Sequence, residues 1–315
     1  MGAYIARRLL GLIPLLLLIS FAVFALVLAV PGDPARTIAG GLDASEDRVE
    51  EIREELGLDD PVVEQYLRWL GDVVSGDLGT SLFNGRTVAS ELAARFPVTL
   101  SLALGAVVFA AAVGIPLGIL AGTRPGSLLD RALSIGTSLG IALPDFFLAT
   151  AMVVLFSVNR DLLPAIGYVD LAENPVEWAE HLLMPWIALG VASAASLARQ
   201  VRGSMIEVLD ADYIRTARAK GLGERRVLGR HALKNALTPA MTVLGLQFAY
   251  LLGGTFIIES IFALPGIGTY MLAAITSRDL PVIQGVVLLV AVLFVFTNLL
   301  VDILYGVLNP KVRVT

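Results

Sequence analysis

Six long, nearly charge-free runs are the sequence feature that most limits how this chain can fold. They cover residues 9–30, 98–123, 132–158, 182–198, 235–258 and 280–301, and only the third contains a charge, at Asp145. A bilayer core of roughly 30 Å is crossed by a helix of about 20 residues. Because hydrocarbon cannot hydrogen-bond to an exposed backbone, such runs must be helical. The sequence therefore predicts an all-α integral membrane protein with six transmembrane helices.

The composition excludes a soluble enzyme. Of the 315 residues, 56% are hydrophobic and 16% are charged, and the mean hydropathy is +0.78. Soluble domains have roughly 45 to 50% and about 25%. The chain has no Cys and two His, so disulfides, thiolate catalysis, zinc clusters and iron–sulfur centres cannot organise it. The first run has 22 uncharged residues, more than the usual signal-peptide core of about 7 to 15, so we expect a retained helix.

Charge asymmetry predicts the orientation. The segment 31–97 holds 14 acidic and six basic residues, whereas the segment 199–234 holds nine basic and four acidic ones. Since basic loops stay in the cytoplasm, we expect both termini and the second segment there. We accordingly divide the chain into residues 1–97, the first transmembrane helix plus an acidic extracytoplasmic segment, and 98–315, a five-helix core with a cytoplasmic loop at 199–239.

The acidic segment contains two predicted short helices. One begins after Ser45 and ends at Gly57, with acidic residues in its first turn. The other has an apolar stripe from Val63 to Val74 and ends at Gly76. The segment is either a solvated cap whose stripes pack on the membrane helices or a docking surface for an external partner.

The loop at 199–240 is charged yet helical in period. Asp212 can cap a helix from Tyr213 to Lys220, and Gly221 can end it. A second basic helix then leads into the next run. Such a rigid knob is suited to insertion into a groove on another protein. Alternatively, a basic loop of this kind holds the orientation or binds anionic lipid head groups.

Several motifs resemble one family along the whole chain. The chain is similar to the inner-membrane permease subunits of ABC importers, in particular the dipeptide, oligopeptide and nickel family. The motifs that carry the resemblance are the Arg-Arg-Leu-Leu at 7–10, Pro-Gly-Asp-Pro at 31–34, Gly-Asp-Leu-Gly-Thr-Ser at 76–81, the loop at 211–221 with 231–237, Glu-Ser-Ile-Phe through Pro-Gly-Ile-Gly at 259–268, and the stretches 278–281, 298–305 and 309–313. The general Glu-Ala-Ala hallmark of such permeases is replaced by Arg215, Thr216 and Ala217.

The resemblance implies a type I ABC importer permease fold and a set of partners. These are one or two ATPase subunits that bind ATP and Mg²⁺, a homologous second permease, an extracytoplasmic substrate-binding protein and the bacterial inner membrane, with no nucleic acid. The residues expected to couple to the ATPase are Asp212, Tyr213, Arg215, Thr216, Ala217, Arg218, Lys220, Gly221 and His231. No Gly-Lys dipeptide occurs, so the chain has no Walker A loop, and we expect neither catalytic residues, nor a cofactor, nor a metal site in it.

Polar and small residues inside the runs are further candidates. Asp145 follows Pro144, which should kink the helix, and it either lines the translocation path or pairs inside the bundle. Glu259 is a second path candidate, although its place near a helix end favours snorkelling or pairing at the interface. The glycine pairs 114/118, 118/122 and 136/140 predict close helix packing. Residues 264–268 predict an outward turn or re-entrant piece rather than a seventh span.

These observations favour a permease subunit of a binding-protein-dependent importer for di- or oligopeptides, forming half of the translocation path. Import of nickel complexes or other small solutes is an alternative within the family. A secondary transporter with its own ion site is the competing class, and it predicts an internal inverted symmetry that the sequence does not show. A receptor or assembly scaffold would leave the basic loop unexplained.

Overall fold

The computed structural model describes residues 2–29, residues 35, 36 and 39, and residues 44–308. The motif at 31–34 and the tail motif at 309–313 lie outside the described residues. The described part of the chain is built from helices and connecting turns, without a named strand. The predicted all-α fold class is confirmed.

Fourteen α-helices follow one another in the described residues. In chain order they are α1 (Gly2–Ala29), α2 (Glu46–Leu56), α3 (Val62–Ser75), α4 (Val88–Gly122), α5 (Leu128–Ala142), α6 (Asp145–Met152), α7 (Pro175–Asp210), α8 (Asp212–Ala219), α9 (Glu224–Arg226), α10 (Leu233–Ala236), α11 (Thr238–Gly254), α12 (Phe256–Ile261), α13 (Ile267–Ser277) and α14 (Leu280–Leu308). Short π-helical turns occupy Val153–Val158, after α6, and Val227–Ala232, between α9 and α10.

Six segments of the described chain can cross a membrane by length and composition. Four are single helices, namely α1, α4, α7 and α14. The other two are bent pairs: α5 with α6, at 94°, and the segment from α9 to α10 with α11, at 46°. The predicted runs correspond to these six segments. Helix α13 has 11 residues, or about 16 Å at 1.5 Å per residue, too short for a seventh span.

The chain forms two compact units. One comprises residues 97–269 with the described residues of 1–5 and 293–315, and the other comprises residues 270–292 with the described residues of 6–96. Our division at residue 97 concerns sides of the membrane and stays a prediction.

The two short helices of the acidic segment are confirmed. The Ser45 hydroxyl accepts a hydrogen bond from the Arg48 N–H, and Gly57 ends α2 with a φ of 58°. Helix α3 ends at Gly76, which has a φ of 92°. Both glycines lie in the left-handed region that favours glycine at a helix end. Val49 and Ile52 of α2 are buried in a small cluster with Ala35, so the apolar stripe of α2 packs within the acidic segment itself.

A glycine stripe brings α4 and α7 into close contact in the first unit. A Cβ atom at Gly118 would lie 2.6 Å from the carbonyl oxygen of Ala198. The same holds at the other two glycines of the stripe. An added Cβ at Gly114 would lie 2.5 Å from the Ala194 carbonyl oxygen, and one at Gly122 would lie 2.6 Å from the Met205 Cβ. Because these distances leave no room for a side chain, the glycines allow the two helices to touch. Close packing at 114, 118 and 122 is confirmed.

The glycine pair at 136 and 140 is only half explained by packing. Gly140 would place a Cβ 3.2 Å from the Ala195 Cβ, whereas Gly136 is exposed and has nothing within 4 Å. Our expectation for Gly136 is wrong in this chain, because α5 turns that face away from its neighbours.

We expect Gly118→Val to destabilise the first unit, because the added side chain must push α4 away from the α7 backbone. Overpacking of this kind costs roughly 1 to 3 kcal/mol. Thermal unfolding of the purified chain in detergent measures the effect. Gly136→Val is the matched control, since it introduces the same side chain into open space. Equal melting temperatures for the two variants would contradict the packing role of the stripe.

Candidate ATPase-coupling site

Helix α8 is a short, separate helix that follows the end of the long helix α7. Ala211 is the extended residue between them, with φ −67° and ψ 146°. Asp212 is the first residue of α8 and makes no side-chain cap, so our prediction that it caps a helix from Tyr213 to Lys220 is wrong. Its carboxylate still lies in the first turn, where the helix dipole favours a negative charge.

Two apolar residues anchor α8 to the first unit. Ile214 and Ala217 are buried in a cluster with Val201 and Met205 of α7 and with Val227. Ala217, which we expected among the coupling residues, is therefore an anchor. The remaining predicted coupling residues of this stretch are exposed: Asp212, Tyr213, Arg215, Thr216, Arg218, Lys220 and Gly221. The helix therefore presents a polar, predominantly basic surface from a fixed apolar base.

Side-chain bonds hold α8 against the residues that follow it. Arg218 forms a two-pronged pair with Glu224, with nitrogen–oxygen distances of 2.7 and 3.2 Å. This hydrogen bond raises the pKa of Arg218 above its ordinary value. The Asn235 side-chain amide donates to the Tyr213 hydroxyl at 2.9 Å. Hydrogen bonds thus hold α8 near both of its ends, at Tyr213 and at Arg218, and this preorganises the helix for binding.

Gly221 forms the turn between the paired residues Arg218 and Glu224. It has a φ of 79°, and its N–H donates to the Arg218 carbonyl at 2.9 Å. The next N–H, of Leu222, donates to the Ala217 carbonyl at 3.3 Å. This geometry satisfies carbonyls at the end of α8 and needs a left-handed residue, for which glycine is best suited. The prediction that Gly221 terminates the helix is confirmed.

His231 lies apart from the knob surface. It is half-buried in the π-helical turn Val227–Ala232. Its carbonyl oxygen is 3.5 Å from the Asn235 side-chain nitrogen, which also reaches Tyr213. Among the described residues no group of three His, Asp or Glu side chains could hold a metal ion. The coupling role that we expected for His231 stays a prediction.

Asp145 is the first residue of α6, directly after a break between two helices. The chain bends by 94° between α5 and α6, at Leu143 and Pro144, so the expected kink is a full interruption. The Asp145 carboxylate accepts the Phe146 N–H at 2.9 Å. No ion pair of Asp145 is found within the described parts of the chain, and its side chain is partly exposed. The alternative of a buried, charge-paired Asp145 thus has no support in this structure.

Glu259 is fully buried and bonded on both oxygens. One carboxylate oxygen accepts from the Thr99 hydroxyl at 2.7 Å and the Thr255 hydroxyl at 2.9 Å, and the other accepts from the Thr269 N–H at 2.9 Å. The Thr99 hydroxyl in turn accepts from the Ile267 N–H at 2.9 Å. Our expectation of a snorkelling Glu259 is wrong. Its assignment to the translocation path stays a prediction.

The glycines of the Pro-Gly-Ile-Gly motif make room for this carboxylate. A Cβ at Gly266 would collide with the Glu259 carboxyl group, and a Cβ at Gly268 would lie 2.6 Å from the Phe256 Cα. The turn after α12 therefore folds directly over the Glu259 side chain. Glu259 takes the role that a backbone carbonyl has in a regular helix, because it accepts the Thr269 N–H in the first turn of α13.

An ion pair near α8 was not anticipated from the sequence. Asp130, buried at the start of α5, accepts from Arg202 of α7 at 2.5 and 2.8 Å and from the Gly126 N–H at 2.8 Å. Arg202 lies two turns before the end of α7. The pair therefore ties the helix that carries α8 to its neighbour, and nothing in the local sequence signals it, since the partners are 72 residues apart.

The chain matches family models over almost its whole length. The model described as "Binding-protein-dependent transport system inner membrane component" matches residues 114–314. A second, for the N-terminal part of such membrane components, matches residues 1–103.

Curated relatives cover the chain from end to end. The "Probable peptide ABC transporter permease protein y4tP" of Sinorhizobium fredii is 41% identical over 99% of this chain and 100% of its own length. A putative peptide transport system permease protein of Brucella abortus is 44% identical over 99% of each chain. The "Dipeptide transport system permease protein DppB" of Escherichia coli is 42% identical over 98% of each.

A solved structure shares the fold. A chain of the inward-facing MetNI methionine ABC transporter superposes with a TM-score of 0.54 at 19% identity, over 69% of this chain and 96% of that one. A second crystal form of the same transporter gives a TM-score of 0.51 at 18% identity. This likeness establishes the fold of an ABC importer permease.

We expect Glu259→Ala to lower the stability of the first unit. The change leaves the Thr269 N–H without an acceptor, and an orphaned buried donor costs about 1 to 3 kcal/mol. Loss of the two threonine bonds adds to this. Thermal unfolding measures the effect, with Asp145→Asn as the control, because that change keeps an oxygen acceptor for Phe146.

A third variant separates a structural role of Glu259 from a role in transport. A Glu259→Gln variant of normal stability that discriminates differently between charged and neutral substrates would show that Glu259 acts in the path instead.

Proposed function

Since this chain belongs to the family of binding-protein-dependent transport system inner membrane components, we propose that it is the permease subunit of an importer for di- or oligopeptides, driven by ATPase subunits that bind α8. Members of this family are transport subunits and not enzymes. The chain is a multi-pass protein of the inner membrane.

One observation carries the proposed coupling site: the anchored and braced helix α8. Its exposed basic surface stands on Ile214 and Ala217, and the pairs Arg218–Glu224 and Tyr213–Asn235 prevent it from moving independently. A helix held in this way transmits a push or pull to the segments that it touches. An ATPase groove with an acidic rim would complement its charge.

The peptide substrate is supported by the relatives. The proteins from Sinorhizobium fredii, Brucella abortus and Escherichia coli are named as peptide or dipeptide permeases and match this chain over nearly their whole length. The proposal is tested by screening ligands on the cognate extracytoplasmic binding protein. Selective binding of nickel complexes or other small solutes would replace peptides as the substrate while leaving the permease role intact.

The transport cycle that we propose is alternating access. ATP binding closes the ATPase subunits, where ATP and Mg²⁺ are held, and their movement displaces α8. Helix α7 is joined to α8 by the single residue Ala211, so a movement of α8 displaces the end of α7. The Arg202–Asp130 pair then transmits this displacement to α5. The path forms between this chain and a homologous second permease, and the partly exposed Asp145 lines it.

We expect Gly221→Val to uncouple transport from ATP hydrolysis. Nothing lies within 4 Å of the Cβ position at Gly221, so the effect comes only from its φ of 79°, which valine strongly resists. A left-handed residue with a side chain costs about 1 to 2 kcal/mol, enough to shift the end of α8. Substrate-stimulated ATPase activity of the reconstituted importer should fall, while membrane insertion stays normal.

Gly223→Val is the matched control for the coupling test. Gly223 is two residues further along, also has nothing within 4 Å, and has a φ of −61°, which valine accepts. Wild-type coupling in both variants would contradict the role of α8. Loss of coupling in both would attribute the effect to the loop surface rather than to the turn.

The proposed orientation places both termini and α8 in the cytoplasm and residues 31–97 outside. The chain has no Cys, so single cysteines at Asp59 and Arg225, both exposed, report the sides directly. An impermeant maleimide should label position 59 in intact cells and position 225 only in inverted vesicles. The reverse pattern would refute the orientation.

A further inference from the structure

Helix α3 has three distinct faces, and one of them is apolar and uncovered. Val63, Leu67, Leu70 and Val74 recur at spacings of four, three and four residues, which places them on one side of the helix. The side chains at 63, 67 and 74 are 65%, 59% and 80% exposed. No residue of α3 is buried, so this helix presents an aliphatic stripe to its surroundings.

A second face of α3 holds the helix against α1. The Tyr66 ring meets Phe21 edge-on at 5.3 Å and Phe24 at 5.7 Å, and Trp69 lies 5.8 Å from Phe24. The Tyr66 hydroxyl is 2.8 Å from the Ser20 hydroxyl and also reaches the Leu17 carbonyl. All of these contacts lie within the second unit. They fix α3 to the side of a transmembrane helix.

The third face of α3 is polar. Glu64, Arg68 and Asp72 follow one another every four residues and are exposed. Their net charge is −1, so this face has no excess of basic groups for anionic lipid heads. Any membrane contact of α3 must therefore come from the aliphatic stripe.

The contacts with α1 set the depth of α3. The segment of α1 that can cross a membrane ends at Leu26. The two rings that Tyr66 contacts, Phe24 and Phe21, lie two and five residues before that end, or about 3 and 8 Å along the helix axis. Amphipathic helices that lie in a membrane surface bury their apolar face about 5 to 10 Å deep. The contacts between α3 and α1 therefore lie at a depth close to this range.

The aliphatic stripe continues an exposed apolar surface of α1. Leu18 and Phe21 of α1 are 66% and 45% exposed, and they belong to a segment that crosses the membrane. Since Tyr66 packs directly on Phe21, the stripe of α3 begins where that surface ends. Protein interfaces are enriched in aromatic residues, Met and Arg, whereas this stripe is made only of Val and Leu.

We infer that α3 lies in the membrane surface, with Val63, Leu67, Leu70 and Val74 in phospholipid acyl chains and Glu64, Arg68 and Asp72 in water. The leaflet is the one at the C-terminal end of α1, which is the outer leaflet in the orientation proposed above. Helix α3 then anchors the acidic segment in the membrane surface and holds α1 at a fixed depth.

Adjacent residues provide matched probes of this arrangement. Single cysteines at Val63 and Glu64, and at Val74 and Ser75, carry a nitroxide spin label in the otherwise Cys-free chain. The complete importer is reconstituted in phosphatidylcholine vesicles, and the accessibility of each label to oxygen and to a water-soluble nickel chelate is measured. Oxygen concentrates in acyl chains and the chelate in water.

We expect the ratio of oxygen to chelate accessibility to be several-fold higher at 63 and 74 than at 64 and 75. High chelate accessibility at 63 and 74 would place the stripe in water and overturn the inference. Low accessibility to both reagents there would show that a protein partner covers the stripe, which also overturns it. Addition of phosphatidylglycerol should leave the ratios unchanged, and a pattern that appears only with this anionic lipid would refute insertion by acyl-chain contact.

Discussion

A backbone in hydrocarbon must satisfy its own N–H and C=O groups, and this requirement determines where the chain can bend. At two interruptions of the helical backbone, polar side chains accept N–H groups that lack a helical partner. At the break between α5 and α6, the Asp145 carboxylate takes the Phe146 N–H. In the turn before α13, Glu259 and Thr99 take the N–H groups of Thr269 and Ile267. Polar side chains in the apolar runs therefore serve first to make non-helical backbone possible.

Close backbone contact complements these local bonds in the first unit. Lipid tails are as apolar as leucine, so helices in a membrane associate through van der Waals contact rather than through a hydrophobic driving force. The stripe of Gly114, Gly118 and Gly122 gives α4 and α7 that contact. Helix α7 has 36 residues and is about 54 Å long, and it ends one residue before α8. A displacement of α8 would consequently act on a helix whose backbone touches its neighbour along the glycine stripe.

The sequence predicted features that depend on local chemistry. Ser45, Gly57 and Gly221 mark helix ends because a cap or a positive φ is a property of one residue and its neighbours. The apolar runs located the spans because length and hydropathy are enough for that purpose. The break after Leu143 was underestimated as a kink, since a proline indicates that a helix is disturbed and not how far the chain turns. The first residue of α8 was misplaced by one position.

Contacts between residues that are far apart in the sequence could not be predicted from it. Thr99 and Glu259 are 160 residues apart, and Asp130 and Arg202 are 72 apart. No period or spacing links such pairs, because they depend on which helices become neighbours. For the same reason Ala217 was taken for a surface residue of the knob, although its small side chain is what lets α8 rest on Val201 and Val227.

Three carboxylates of the first unit, those of Asp130, Asp145 and Glu259, differ in how their charge is satisfied. Asp130 has a guanidinium partner, and Glu259 has three hydrogen-bond donors in a fully enclosed pocket. Asp145 has one N–H and no cation among the described residues. A carboxylate without a partner is costly in an apolar medium. The remaining hydrogen-bond acceptor positions of Asp145 must therefore be satisfied by water or by a bound solute. In the transport cycle that we propose, the break at Pro144, which leaves Asp145 partly exposed, is therefore the position that we assign to a hydrated path.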